Sequence, residues 1–273
     1  MDTNRKIRLI FGGMLIAGGI SVIADYYLHT GWLKLAVVLV AGLYLLYDGM
    51  KLHRVGFLVA GGILCGLTAG LWLAFSGDDL SPVRVRVGEF FSFCAAGWLL
   101  VPLLSIRIAS KPAMWPLVPG AVMAALGLWL VRTPAGIFEL VLYMGVALAL
   151  AFIGWGIVYR LFGLIIPGCL LLGIGLGLYE AWGVAREPNG LVQTGTMLVW
   201  FALGWGLIVL FGRILMDKLV WWPLIPGGVL AMTGWGLYIG GSPDNALYFI
   251  SNSGSIGLII VGLYLLLLKK GIQ

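Results

Sequence analysis

The sequence predicts an all-α polytopic membrane protein of about ten transmembrane helices, arranged as five parallel-repeat helical hairpins with both termini cytoplasmic. Three observations predict it. The 273 residues are 61% hydrophobic and only 10% charged, with mean hydropathy +1.05, where a soluble domain carries about 25% charged residues. Apolar runs of spanning length recur from end to end. Lys and Arg gather in alternate loops, as they do in a chain threaded back and forth through a bilayer.

Taken in order, the first span is expected at about 7–24 and the second at about 32–50. The opening stretch "MDTNRKIRLIFGGMLIAGGISVIADYYL" superficially resembles a signal peptide. Its apolar run is long and no A-x-A-like site follows, so it reads as a retained first helix. The third and fourth spans, at about 56–76 and 89–106, flank the charged, Pro-containing stretch "SGDDLSPVRVRVGE", read as a solvated outer loop. The fifth and sixth follow at about 116–132 and 136–158. Only "YRLFG" separates the sixth from the seventh, at about 162–181, but Arg160 and the following Pro167 argue for a turn. A second long outer loop, "EAWGVAREPNG", leads to the eighth span at about 191–212. The ninth and tenth are expected at about 223–240 and 248–268.

The spans alternate in type. Odd spans open on a Gly-rich signature that aligns Gly12, Gly61, Gly120, Gly168 and Gly227. Even spans share "AGLYLL", "AGWLLV", "IGWGIV", "LGWGLI" and "VGLYLL", aligning Gly42, Gly97, Gly154, Gly204 and Gly262. A basic residue follows each: Lys51, Arg107, Arg160, Arg213 and Lys269. The chain thus reads as one integral membrane domain, 1–273, of five repeats at about 1–52, 53–110, 111–160, 161–217 and 218–273. The first-column spacings alternate short and long, which pairs repeat one with two and three with four. In the bilayer, small residues bring helices together by letting backbones approach, and these ten glycines are the expected helix-packing positions.

Loop charge sets the topology. Lys34, Arg84, Arg86, Arg132 and Arg186 fall on one side, and the remaining Lys and Arg on the other, which is therefore cytoplasmic. The odd spans enter from that side, and this accounts for the prolines in "WPLVPG" and "WWPLIPGG". The first four N–H groups of a helix have no intrahelical partner, so Pro116, Pro119, Pro223 and Pro226 remove no hydrogen bond there. Helix starts at Pro116, Pro167 and Pro223 are expected to face the cytoplasm. Trp115, Trp221 and Trp222 then sit at the interface.

No motif for chemistry emerges. H-E-x-x-H, Walker A, G-x-S-x-G and C-x-x-C are absent. His29 and His53 are lone residues, and Cys65, Cys94 and Cys169 read as buried free thiols. No metal, cofactor or catalytic residue is expected. The net charge of +6 reflects loop bias rather than a nucleic-acid partner. Asp25, Asp48, Glu139 and Glu180 lie near span ends, where each can pair locally or reach the interface.

Two further groups are singled out. Gln193, Thr194, Thr196, Ser251, Asn252, Ser253 and Ser255 form a candidate polar patch on the outer half of repeats four and five, either bonding helices together or lining a vestibule. Lys111, Arg160 and Lys218 lie beside helix starts whose positive dipole ends favour anions, so they are candidate contacts for anionic lipid headgroups.

The "WWPLIPGG" and "WPLVPG" hairpins resemble the bacterial LiaI-LiaF-like transmembrane region, small membrane repeats that pair a Trp-Pro opening with Gly-rich helices. The resemblance covers hairpins three to five best. Hairpins one and two lack Trp-Pro, and no LiaF-type sensory domain is present, so it implies no site residues. Two function classes compete. One is a non-enzymatic scaffold or accessory subunit of a larger membrane complex, held by anionic lipid, by other membrane subunits or by its own copies. The other is a conduit or carrier for a small polar or apolar substrate. The expected location is the cell membrane, as a multi-pass protein of a bacterial inner membrane.

Overall fold

The computed structural model describes residues 3–28, 31–75, 81–108, 112–132, 136–184, 189–216, 220–240 and 244. Among them all regular structure is helical: α1 Thr3–Leu28, α2 Leu33–Lys51, α3 Val55–Phe75, α4 Val83–Ile108, α5 Leu117–Val131, α6 Ile137–Tyr159, α7 Phe162–Leu178, α8 Gly190–Met216 and α9 Leu224–Gly240. A π-helical turn, Tyr179–Gly183, extends α7. Six of the apolar helices are long enough to cross a membrane, and those at 15–28, 117–131 and 224–240 are shorter. Their surfaces expose large apolar side chains such as Ile20, Val40, Leu103, Leu150, Leu210 and Val229, as a bilayer-facing exterior requires. The expected tenth span lies outside the described residues.

The helices divide into two compact units, Met1–Ala135 and Gly136–Gln273. In the first, α2 packs on α3, α3 on α4 and α4 on α5, with α1 against α2 more lightly. In the second, α6, α7, α8 and α9 pack in the same serial manner. The boundary falls between α5 and α6, inside the stretch read from sequence as the third repeat.

Each unit has its own core. Leu46, Leu58, Cys65 and Val101 centre the first, and Ile165, Cys169 and Ile208 the second. Contacts of the first unit recur in the second at one constant offset along the chain. Leu58 and Val101 correspond to Ile165 and Ile208, all fully buried. A Cβ placed on Gly66 would lie 2.9 Å from Phe93 O, and one on Gly173 would lie 2.9 Å from Trp200 O. Trp98 and Trp115 meet edge to face at 5.7 Å, Trp205 and Trp222 at 5.8 Å. After α2, His53 takes φ 53, and after α6, Arg160 takes φ 52. Each left-handed residue sits in a tight turn closed by the next N–H, Arg54 to Gly49 O and Leu161 to Gly156 O.

Local chemistry explains the helix starts. Pro116 precedes α5 as its N-cap. Leu117 and Val118 donate to Met114 O and Trp115 O, and Gly120 makes the first full-turn bond to Pro116 O. Pro119 stands between them, where no N–H is needed. Leu224, Ile225 and Gly227 repeat these bonds around Pro223 and Pro226.

Three expectations are corrected. Pro167 does not start a helix; it lies inside α7, which begins at Phe162. The helix extends past it because the residues preceding the proline are themselves apolar and helix-compatible, and because Ile165 is fully buried in the core. The outer loop before the fourth span is shorter than expected, since α4 begins at Val83 and carries Arg84, Arg86 and Glu89 on helix. The start of the "EAWGVAREPNG" stretch is likewise helical, as the π-turn.

Candidate functional site

The glycine seams are the most constrained feature. A Cβ on Gly42 would meet Cys65 Sγ at 2.8 Å, and one on Gly61 would meet Leu46 N at 2.8 Å, both between α2 and α3. Gly97 faces Gly62 and Gly66 across α3 and α4, and Gly204 faces Cys169 and Gly173 across α7 and α8. Gly120 lies against Trp98 and Leu99, Gly168 against Ala149 and Ile153, and Gly227 against Trp205. Gly12 and Gly154 have nothing within 4 Å among the described residues, so no described helix approaches through them. Gly262 lies outside the described residues. Gly154 aligns with Gly42 by signature, yet Gly156 occupies the tight position against Ile165.

Several hydroxyls of the spans are spent on local structure, while Arg86 Nε, Glu139 Oε2 and Trp205 Nε1 are buried with no hydrogen-bond partner among the described residues. Ser21 donates to Gly18 O, Thr68 to Leu64 O and Ser92 to Gly88 O, each within its own helix. In the expected polar patch, Thr194 and Thr196 likewise donate to Gly190 O and Val192 O. These hydroxyls bond back along α8. Gln193 is partly buried on α8. Ser251, Asn252, Ser253 and Ser255 lie outside the described residues.

The acidic groups follow the same logic. Asp25 is buried, accepts the Leu33 N–H at 3.2 Å and pairs with Lys34 Nζ at 3.3 Å, so it ties α1 to the start of α2. A carboxylate is favoured there by the helix dipole. Tyr44 hydrogen-bonds Asp48 one turn along α2. Glu139 stands in the first turn of α6, where negative charge is also favoured, but its Oε2 is buried with no hydrogen-bond partner among the described residues. Glu180 lies in the π-turn. Of the three headgroup candidates, Arg160 is exposed at the end of α6; Lys111 and Lys218 lie outside the described residues. Cys65, Cys94 and Cys169 are buried and free. Among the described residues, no group of three or more His, Cys, Asp or Glu gathers as a metal site would require.

Sequence reasoning missed three features. Arg84 caps α5, donating to Trp129 O at 2.9 Å and to Arg132 O, with its guanidinium over the Trp129 ring at 5.7 Å. Ser105 is fully buried and accepts the Ala113 N–H at 3.0 Å, holding the α4–α5 connection. Two apolar grooves flank α8 in the second unit. One of about 250 Å³ lies between α8 and α9, and one of about 380 Å³ between α7 and α8; both are lined by Leu203 and Gly206. A signal for the grooves was present, because "AGWLLV" has Leu99 where "LGWGLI" has Gly206.

No protein-family model matches the chain, and no curated protein or solved structure matches it.

Proposed function

We propose that the protein is a non-enzymatic integral membrane scaffold or accessory subunit that acts through protein and lipid contacts. Ten spans as five hairpins with cytoplasmic ends, in a bacterial inner membrane, form its topology. The observation that carries this reading is where the polar groups go. The hydroxyls of Ser21, Thr68, Ser92, Thr194 and Thr196 bond their own helix carbonyls, Asp25 caps α2, and the exterior is aliphatic and aromatic. Reactive groups converging on a pocket would mark a site of turnover; here the grooves are lined by apolar side chains and glycine. Exposed Arg160 and the Trp115, Trp221 and Trp222 indoles suit the headgroup layer. The Trp-Pro openings before α5 and α9 support kinship with the LiaI-LiaF-like transmembrane region as the family proposal.

Reconstitution tests it. Purified protein in liposomes of mixed anionic and neutral lipid is expected to enrich anionic lipid or hold a partner subunit, and to move no solute. Protein that behaves as a lone protomer, selects no lipid and carries a solute across the bilayer supports the conduit reading instead.

A further inference from the structure

We propose that the face of α8 running through Leu203, Gly206, Leu210 and Arg213 binds one anionic diacyl phospholipid, its chains in the two grooves beside Gly206 and its phosphate on the Arg213 guanidinium. This deepens the proposed function and rests on its reading that α8 spans the bilayer.

The argument begins with the constant offset between the units, which makes α2–α5 and α6–α9 two copies of one four-helix module. Equivalent positions can then be compared within a single chain. In the first module Leu99 fills the space beside α5: its Cδ2 lies 3.1 Å from a Cβ built on Gly120. The equivalents of Leu99 and Gly120 are Gly206 and Gly227. Among the described residues a Cβ on Gly206 meets nothing within 4 Å, so the position a leucine closes in one module stands open there in the other. The groove between α8 and α9, about 250 Å³, is lined there by Ala202, Leu203, Gly206, Gly227, Gly228 and Ala231. The groove between α7 and α8, about 380 Å³, reaches from the same glycine to Leu210.

A second difference coincides with the first. Two turns on, the first module has Ile106 followed by Arg107 and the second has Arg213 followed by Ile214. Both helices carry a cation in the last turn, but only in the second does it stand seven residues after the open position. Gly206 and Arg213 are seven apart, so they share a face of α8 with Leu203 and Leu210. Arg213 is exposed in the last turn of α8. The helix has 27 residues, about 40 Å at 1.5 Å per residue, against a hydrocarbon core of about 30 Å. Its final turn therefore reaches the headgroup layer. Along this face the first module is closed and its cation, Arg107, stands one residue further round; among the described residues the second is open and carries Arg213 in line with the open position. A groove on each side of a glycine accepts two aliphatic chains, and a guanidinium at the interface accepts the phosphate joining them. A neutral apolar occupant would leave the charge unengaged, and a soluble anion would leave the grooves unfilled.

The test is native mass spectrometry of the full chain in mild detergent, titrated with phosphatidylglycerol or phosphatidylcholine. Wild-type protein is expected to retain one phosphatidylglycerol in preference to phosphatidylcholine. Arg213→Ile, copying the first module, should weaken that phosphatidylglycerol about fivefold, since a basic residue near the surface contributes about 1 kcal/mol. Gly206→Leu should displace either lipid while leaving the unfolding temperature near wild type, because the added side chain enters open space. Gly163→Leu, also at an open position on α7, should keep the lipid. Retention of phosphatidylglycerol by both Gly206→Leu and Arg213→Ile, at wild-type affinity, overturns the site. In that case a wild-type preference for anionic lipid would leave the proposed function standing; no preference in the wild type would remove both. Release of a protein subunit rather than a lipid by Gly206→Leu also overturns the assignment.

Discussion

Replacing Gly66 by alanine adds a single carbon inside the α3–α4 seam. That carbon would lie 2.9 Å from Phe93 O, 3.1 Å from Gly97 Cα and 3.2 Å from Cys94 Cα. All three are backbone atoms, so no side chain can rotate away and the helices must separate. Overpacking of this kind costs about 1–3 kcal/mol. Alanine also favours helix over glycine by about 1 kcal/mol, which masks part of the clash. Gly154→Ala gains the same propensity, and its added carbon meets nothing within 4 Å. The difference between the two variants therefore isolates packing: Gly66→Ala is expected to be less stable than Gly154→Ala by about 1–3 kcal/mol. Denaturant titration in a fixed detergent micelle, followed by tryptophan fluorescence, measures it. Equal midpoints for the two variants would refute the claim that the seam depends on backbone approach.

Asp25→Ala should destabilise by about 1–3 kcal/mol, since the buried carboxylate holds both Leu33 N and Lys34; Asp25→Asn, which keeps the cap, should lose less, and equal losses would count against capping. Ser105→Ala leaves the buried partner of Ala113 N missing and should lower stability by about 1–3 kcal/mol in thermal unfolding; a neutral outcome would assign that connection to packing alone. Pro226→Ala should stay within about 0.5 kcal/mol of wild type because the position needs no N–H, whereas Gly227→Leu drives a side chain toward Trp205 Cβ, 3.0 Å from the first added carbon, and should reduce the yield of folded protein.

The sequence is most legible where one residue type has one physical use. Apolar runs gave the helices, and Trp-Pro-x-x-Pro-Gly gave the starts of α5 and α9 to within one residue, because a helix start is the one place that tolerates both prolines. Pro167 has the same flanking glycine but lies inside α7, since the apolar residues before it are helix-compatible and Ile165 is drawn into the core. Gly42 and Gly154 carry the same signature, yet among the described residues Gly42 meets a neighbouring helix and Gly154 does not. A signature records composition, whereas contact depends on which face turns toward the neighbour. The grooves beside Gly206 escaped because an empty volume leaves no residue of its own; it appears only when Leu99 and Gly206 are placed in equivalent surroundings. Arg84 over α5 was hidden for a similar reason: the residues around it read as a loop, and its acceptors Trp129 O and Arg132 O are distant in sequence.

The central claim is that the protein works by holding lipid and protein rather than by moving or converting a substrate. Thermal unfolding in detergent, with phosphatidylglycerol or phosphatidylcholine added at matched concentrations, tests it most directly. A ligand that binds only the folded state raises stability by about 2.7 kcal/mol at a hundredfold excess over its dissociation constant. The account predicts a rise in the unfolding temperature that is larger with phosphatidylglycerol and shrinks as salt screens the headgroup charge. Equal unfolding temperatures in the two lipids, together with solute flux through liposomes that contain the protein, would contradict it.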